Sequence, residues 1–169
     1  KNQISQKDLR RKRFEQTLNT YKIFDPKLAE SIGEDYVNLC PVKTKLFPFV
    51  IEVLEYLFKK YSLHIITNGF EKVQHIKLKH SDLQKYFQQI ITSEQVGVKK
   101  PNPKIFEFAL KCTGAHKEES VYIGDDLIVD IMGCQNYGID GVYFNPDVIQ
   151  HEENPKYEIR CLSELKDLF

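Results

Sequence analysis

The sequence predicts an α/β fold, a doubly wound parallel sheet with a small helical appendage at its front. Three observations predict it. From Pro48 onward, short apolar strands alternate with amphipathic helices, the pattern of parallel βα units. Three of those strands end in polar clusters, where doubly wound sheets hold their ligands. Before Pro41 the chain reads as helix after helix.

In the front part, Ser5 followed by Asp8 resembles a capping box with Asp in place of Glu or Gln, and Phe14, Leu18 and Tyr21 fall on one face. Asp25 is an N-cap and Pro26 a first helical residue, opening a helix to about Leu39 that Pro41 ends. The run Lys7, Arg10, Arg11, Lys12, Arg13 is diluted by Asp8 and Glu15, so it reads as a solvated face rather than a nucleic-acid patch. Phe49, Val50, Val53, Leu54, Leu57 and Phe58 then repeat with helical spacing. A strand over Leu63 to Thr67 follows, then a turn at Asn68-Gly69 and a helix over Glu71 to His80. A short strand near Ile90-Ile91 leads into a loop from Ser93 to Asn102. The next helix starts at Pro103 and buries Ile105, Phe106, Ala109 and Leu110. Val121 to Ile123 is a strand, and Leu127 to about Asn136 a helix. Strands over Gly141 to Phe144 and Tyr157 to Cys161, with a last helix from Ser163, complete the order.

A length of 169 residues suits one core domain plus a helical appendage. Twenty-four basic and 24 acidic residues cancel, so no net field draws the chain to nucleic acid or anionic lipid. Cys40, Cys112, Cys134 and Cys161 show no Cys-x-x-Cys pairing, which suggests reduced thiols in a cytoplasmic protein. No stretch is apolar enough to span a membrane as a helix. The one methionine is Met132, so the natural chain is expected to begin before Lys1.

The three strand ends carry the chemistry. Thr67-Asn68-Gly69 offers a hydroxyl, an amide and a glycine just before a helix, a place to hold a phosphate; Asn-Gly is also a common turn. In Lys100-Pro101-Asn102-Pro103, Pro101 keeps Lys100 extended and Asn102 caps the helix that Pro103 opens. Lys100 then stands before a helix N-terminus where a dianion could bind, or it is a solvated lysine at a rigid turn. In Gly124-Asp125-Asp126-x-x-x-Asp130, two adjacent carboxylates at a strand end need a cation or good donors. Hard oxygen ligands with room for water suit magnesium, Mg2+. Asp130 could orient a ligand or Lys100, and N-capping by Asp125 or Asp126 is the competing reading. His75 and His80 do not share a helix face, no Ser or Cys has triad partners, and the glycines match neither a P-loop nor a dinucleotide fingerprint.

Thr67-Asn68-Gly69, Lys100-Pro101 and Gly124-Asp125-Asp126-x-x-x-Asp130 resemble the second, third and fourth signature motifs of the haloacid dehalogenase superfamily, in that order. Ser93-Glu94-x-x-Gly97-x-x-Lys100-Pro101-x-x-x-Ile105-Phe106 and Gly138-Ile139-x-x-Val142-x-x-Asn145-Pro146 look most like bacterial noncanonical pyrimidine 5′-nucleotidases of that superfamily. The likeness covers Pro48 to the C-terminus. It implies a Rossmann-like core over residues 46–169 and part of a helical cap over 1–45. It also implies a magnesium-dependent phosphatase of small phosphorylated metabolites, such as nucleoside 5′-monophosphates, working through an aspartyl-phosphate. Asp125 would be a metal ligand, supported by Asp126 or Asp130. Thr67, the Asn68 amide and Gly69 would hold phosphate, and Lys100 would balance charge. Metal-free dehalogenase relatives usually carry Ser and Asn where this chain has Gly124-Asp125-Asp126.

One departure stands out. The family's first motif, Asp-x-Asp-x-Thr/Val on a central strand, supplies the nucleophile and does not occur in these residues. Its removal would expose two unpaired edges, so roughly 40 to 70 residues are expected to precede Lys1. The alternative is a non-catalytic phosphate-binding or partner-docking module. A phospho-receiver domain is disfavoured, because its acidic pair precedes its lysine, the reverse of the order here.

Overall fold

The computed structural model describes residues 6–169, so the expected Ser5 cap lies outside the described residues. The chain forms two compact units, one ending at Thr44 and one running from Lys45 to Phe169.

The first unit is a pair of helices, α1 (Gln6–Thr20) and α2 (Pro26–Leu39). The Asp25 carboxylate accepts the Lys27 and Leu28 N–H groups, each at 3.0 Å, and Pro26 occupies the first turn, where its missing N–H leaves no donor unmet. Phe14 packs on Tyr36 with ring centroids 5.7 Å apart. Tyr21, expected on the same face as Phe14, is instead exposed. The helix has ended at Thr20, and the chain reverses through Lys22 with φ of 58°. Arg11 pairs with Asp8 and Glu15 along the helix surface, as a solvated charged face does.

The second unit holds α3 (Val50–Phe58), β1 (His64–Thr67), α4 (Glu71–His80), β2 (Gln89–Thr92) and α5 (Ser93–Val96). These are followed by α6 (Pro103–Thr113), β3 (Val121–Gly124) and a π-helical segment (Leu127–Met132) that runs into α7 (Gly133–Tyr137). Last come β4 (Asp140–Phe144), β5 (Tyr157–Ile159) and α8 (Leu165–Leu168). Every pairing is parallel: Ile66 opposite Ile91, Ile123 opposite Val142, and Phe144 opposite Ile159. Val142 and Phe144 face a cluster with Val53, Leu57, Ile159 and Leu165 on one side of β4. Gly141 faces Ile131 and Cys134 on the other side. Cys134 belongs to a second cluster with Ile91, Ile105 and Phe106. The sheet is therefore covered on both faces, as a doubly wound fold requires.

The strands form two groups, β1-β2 and β3-β4-β5, rather than one continuous sheet. Val142 on β4 is fully buried, whereas Val121 and Ile123 on β3 are 41% and 38% exposed, so β3 behaves as an edge. Where a plain loop was expected after Thr92, α5 forms instead. The Thr92 hydroxyl accepts the Gln95 N–H, and the Gln95 side chain accepts the Thr92 N–H, a reciprocal cap. The strand expected to reach Cys161 stops at Ile159, where a short turn into α8 begins.

Burial pushes the Cys134 thiol up to about 12, while Cys112 is exposed. A raised value means less thiolate at neutral pH, and the thiolate is the nucleophile. A thiol-alkylating reagent should therefore label Cys112 in the native chain while Cys134 stays unmodified, with both labelled in denaturant. Equal native rates, read by mass spectrometry of the peptides, would contradict this packing.

Candidate functional site

The carboxyl ends of β1 and β3 and the segment before α6 meet in the second unit. Asn68 makes the first link. Its side-chain oxygen accepts the Lys100 N–H at 2.8 Å, and its NH2 donates to the Lys100 carbonyl at 3.1 Å. Both hydrogen-bonding groups of the Lys100 backbone are thus met by one carboxamide 32 residues away in sequence. Because that side chain is engaged, the amide left to bind an anion at this position is the backbone N–H. Next to it, the Thr67 hydroxyl accepts the Gly69 N–H at 3.0 Å and keeps its own hydrogen to donate.

The Lys100–Pro101 peptide is cis. Pro101 lies so close to the start of α7 that a Cβ on Gly133 would come within 2.9 Å of the proline ring, so only glycine fits there without displacement. The Lys100 ammonium, 9% exposed, lies 2.5 Å from Asp130 Oδ1, and the Asp130 side chain is 8% exposed. Asp130 Oδ2 accepts the Asp126 N–H at 3.4 Å. A Cβ on Gly124 would sit 2.6 Å from Asp130 Oδ2, so the carboxylate occupies the space that a side chain at 124 would fill.

The π-helical winding accounts for that position. The Asp126 carbonyl accepts both the Asp130 and the Ile131 N–H, at 2.9 and 3.2 Å, and the widened turn brings Asp130 back over Gly124. Sequence reasoning expected an ordinary helix here. Asp126 Oδ1 caps this turn through the Val129 N–H at 2.8 Å, so one oxygen of the acidic pair does serve as an N-cap. Asp125 is exposed, and its side chain makes no hydrogen bond or ion pair among the described residues.

The structure thus brings Asn68, Lys100, Asp130 and Asp126 into one bonded chain, with Thr67 and Gly69 flanking Asn68 and Asp125 flanking Asp126. Among the described residues, no group of three or more His, Cys, Asp or Glu could enclose a metal ion by itself. The exposed Asp125 carboxylate and the second oxygen of Asp126 are hard oxygen donors, the kind of donor that magnesium takes alongside water and phosphate oxygens.

Two residues of this arrangement were missed from sequence. Gly133 makes room for Pro101. Tyr122 receives the Lys100 ammonium at 2.9 Å and donates to the Ile66 carbonyl at 3.2 Å. Burial above all, then the Asp130 charge, drives the Tyr122 phenol far above its ordinary range, so it stays neutral. The available signal was a polar-tipped aromatic two residues before Gly124, on the same face of that strand.

Parallel topology with polar and charged groups gathered at strand ends marks an α/β domain that holds its ligand there. More narrowly, the chain belongs to the haloacid dehalogenase-like hydrolase family, whose sequence model matches residues 3–144. It is 31% identical over 168 residues to pyrimidine 5′-nucleotidase YjjG of Escherichia coli, covering 98% of this chain and 73% of that one. It is 32% identical to the glyceraldehyde 3-phosphate phosphatase of Methanopyrus kandleri, covering 85% of this chain and 65% of the relative. Among solved structures, the magnesium-bound putative hydrolase YfnB of Bacillus subtilis superposes with a TM-score of 0.86 at 29% identity, over 99% of this chain and 73% of that one.

Replacing Asn68 with alanine strands the Lys100 N–H and carbonyl in a partly buried place. We expect Asn68→Ala to lower unfolding free energy by about 1–3 kcal/mol in denaturant titration. A change below about 0.5 kcal/mol would show that the clamp does not form.

Proposed function

We propose that this chain is the phosphate- and cation-handling part of a magnesium-dependent phosphatase acting on small phosphorylated metabolites, nucleoside 5′-monophosphates foremost. The observation that carries the reading is the buried Lys100–Asp130 pair, held beside exposed Asp125 and the end of β1. The curated relatives support the substrate class: one is named a pyrimidine 5′-nucleotidase and another a glyceraldehyde 3-phosphate phosphatase.

In this reading the Thr67 hydroxyl and the Asn68 backbone N–H donate to phosphoryl oxygens, and the helix that begins at Glu71 adds its positive end. Lys100 faces the same oxygens and offsets their charge; Asp130 fixes where its ammonium stands. Asp125, with Asp126, would hold the magnesium, which supplies charge neutralisation as the phosphoryl group transfers. The nucleophile is an aspartate that is not among these 169 residues, since no Asp-x-Asp-x-Thr/Val occurs in them. The break between β1 and β3 is where a strand carrying it would pair. The first aspartate of that motif would attack phosphorus while the second gives its proton to the departing ester oxygen, and the same second carboxylate would then take a proton from the water that cleaves the aspartyl-phosphate. We assign residues 1–45 to part of a cap that shapes substrate choice, and 46–169 to the core.

The test is phosphate release by the natural protein from pyrimidine nucleoside 5′-monophosphates and from glyceraldehyde 3-phosphate. Metal assistance is worth several kcal/mol, so Asp125→Asn should slow release on the order of a hundredfold or more. Chelator should abolish the activity and added magnesium restore it. Release that is indifferent to chelator, or no release from any phosphate ester, would overturn the proposal.

A further inference from the structure

The reaction as read gives Tyr122 no part, yet it stands at the centre of the site. The geometry points to Tyr122 as a positioning residue that fixes the Lys100 ammonium between β3 and the end of β1. This rests on the phosphatase reading only for what Lys100 then does.

The direction of each bond follows from chemistry. An ammonium can only donate, so Lys100 Nζ gives a hydrogen to Tyr122 Oη at 2.9 Å. A carbonyl can only accept, so Tyr122 gives its hydroxyl hydrogen to the Ile66 oxygen at 3.2 Å. The result is a continuous chain from Asp130 through Lys100 and Tyr122 to Ile66, the residue directly before Thr67 and Asn68. The Tyr122 ring is not free to swing. Phe106, itself fully buried, holds it edge-on with centroids 5.6 Å apart at 86°.

Lysine carries its charge on a flexible four-carbon stem and has three hydrogens to give. Two go to fixed acceptors, Asp130 and Tyr122. Among the described residues these are its side-chain partners, so the third hydrogen points in a set direction. Asp130 alone would still permit rotation about the ion pair; a second, neutral acceptor removes that freedom. The phenol suits the task because burial and the nearby Asp130 keep it protonated, so it never becomes a competing anion. Phenylalanine would keep the packing against Phe106 and lose both bonds.

The experiment uses the natural protein labelled with 15N at lysine. An ammonium held by two acceptors exchanges slowly with water, so at low temperature and mildly acid pH the wild-type chain should show a distinct Lys100 ammonium signal, absent in Lys100→Met. In Tyr122→Phe, with the backbone amide spectrum otherwise retained, that signal should broaden beyond detection. The wild-type signal should shift on titration with inorganic phosphate, with binding about tenfold weaker in Tyr122→Phe. Should Tyr122→Phe fail to fold, 3,5-difluorotyrosine at position 122 keeps the shape while weakening the oxygen as an acceptor, and the same loss of signal is expected. A Lys100 signal unchanged by either substitution, or no such signal in the wild type, overturns the positioning role. If the signal depends on Tyr122 but ignores phosphate, the positioning role stands and the phosphatase reading fails.

Discussion

The site depends on a buried ion pair. Lys100 and Asp130 meet at 2.5 Å with side chains under a tenth exposed, where neither charge could stand without the other. Taking either partner away from such a pair typically costs 3–5 kcal/mol, because a bare charge is left in a low-dielectric place. The surrounding structure is arranged to keep the pair made. Gly124 is without a side chain because Asp130 lies over it, and Gly133 is without one because Pro101 lies against it. The π-helical turn supplies the extra width that brings Asp130 back toward the strand. Asn68 fixes the backbone of Lys100 from the far side.

Charge in this molecule is therefore local. The chain is neutral as a whole, yet it brings the Lys100 ammonium, from the segment before α6, to a cluster of acids at the end of β3. The division of labour among the acids is visible in their contacts. Asp130 neutralises Lys100, Asp126 caps its helix, and Asp125 faces solvent. An acid already engaged by a lysine or a helix end is a poorer ligand than one with all its lone pairs available, which is the reason we propose Asp125 as the cation ligand.

Most of this was legible in the sequence. The βα alternation gave the fold class, and Asp25-Pro26 and Asn102-Pro103 marked helix starts that the structure shows. The order of the three motifs led to the family. The parts that could not be read share one cause: they depend on contacts distant in sequence. Turn chemistry around Asn68 suggested an anion site, but its side chain is committed to Lys100, 32 residues on. The π-helical winding follows from how Asp126, Asp130 and Gly124 fit together in space, whereas spacing alone suggested an ordinary helix. Tyr122 looked like another apolar strand residue because its hydroxyl partners lie on other elements. Among the described residues the sheet divides between β1 and β3, a relation that apolar patterning, which sees strands singly, does not contain.

The most direct test of the ion pair is a double-mutant cycle on Lys100→Met and Asp130→Asn, read by denaturant unfolding. Neighbours in one buried network couple by about 0.5–3 kcal/mol, and a pair this close and this buried should fall at about 2 kcal/mol or more, with the double variant more stable than the sum of the single losses. Strictly additive losses would mean that the two side chains do not depend on each other, and the account of the site would fail with them.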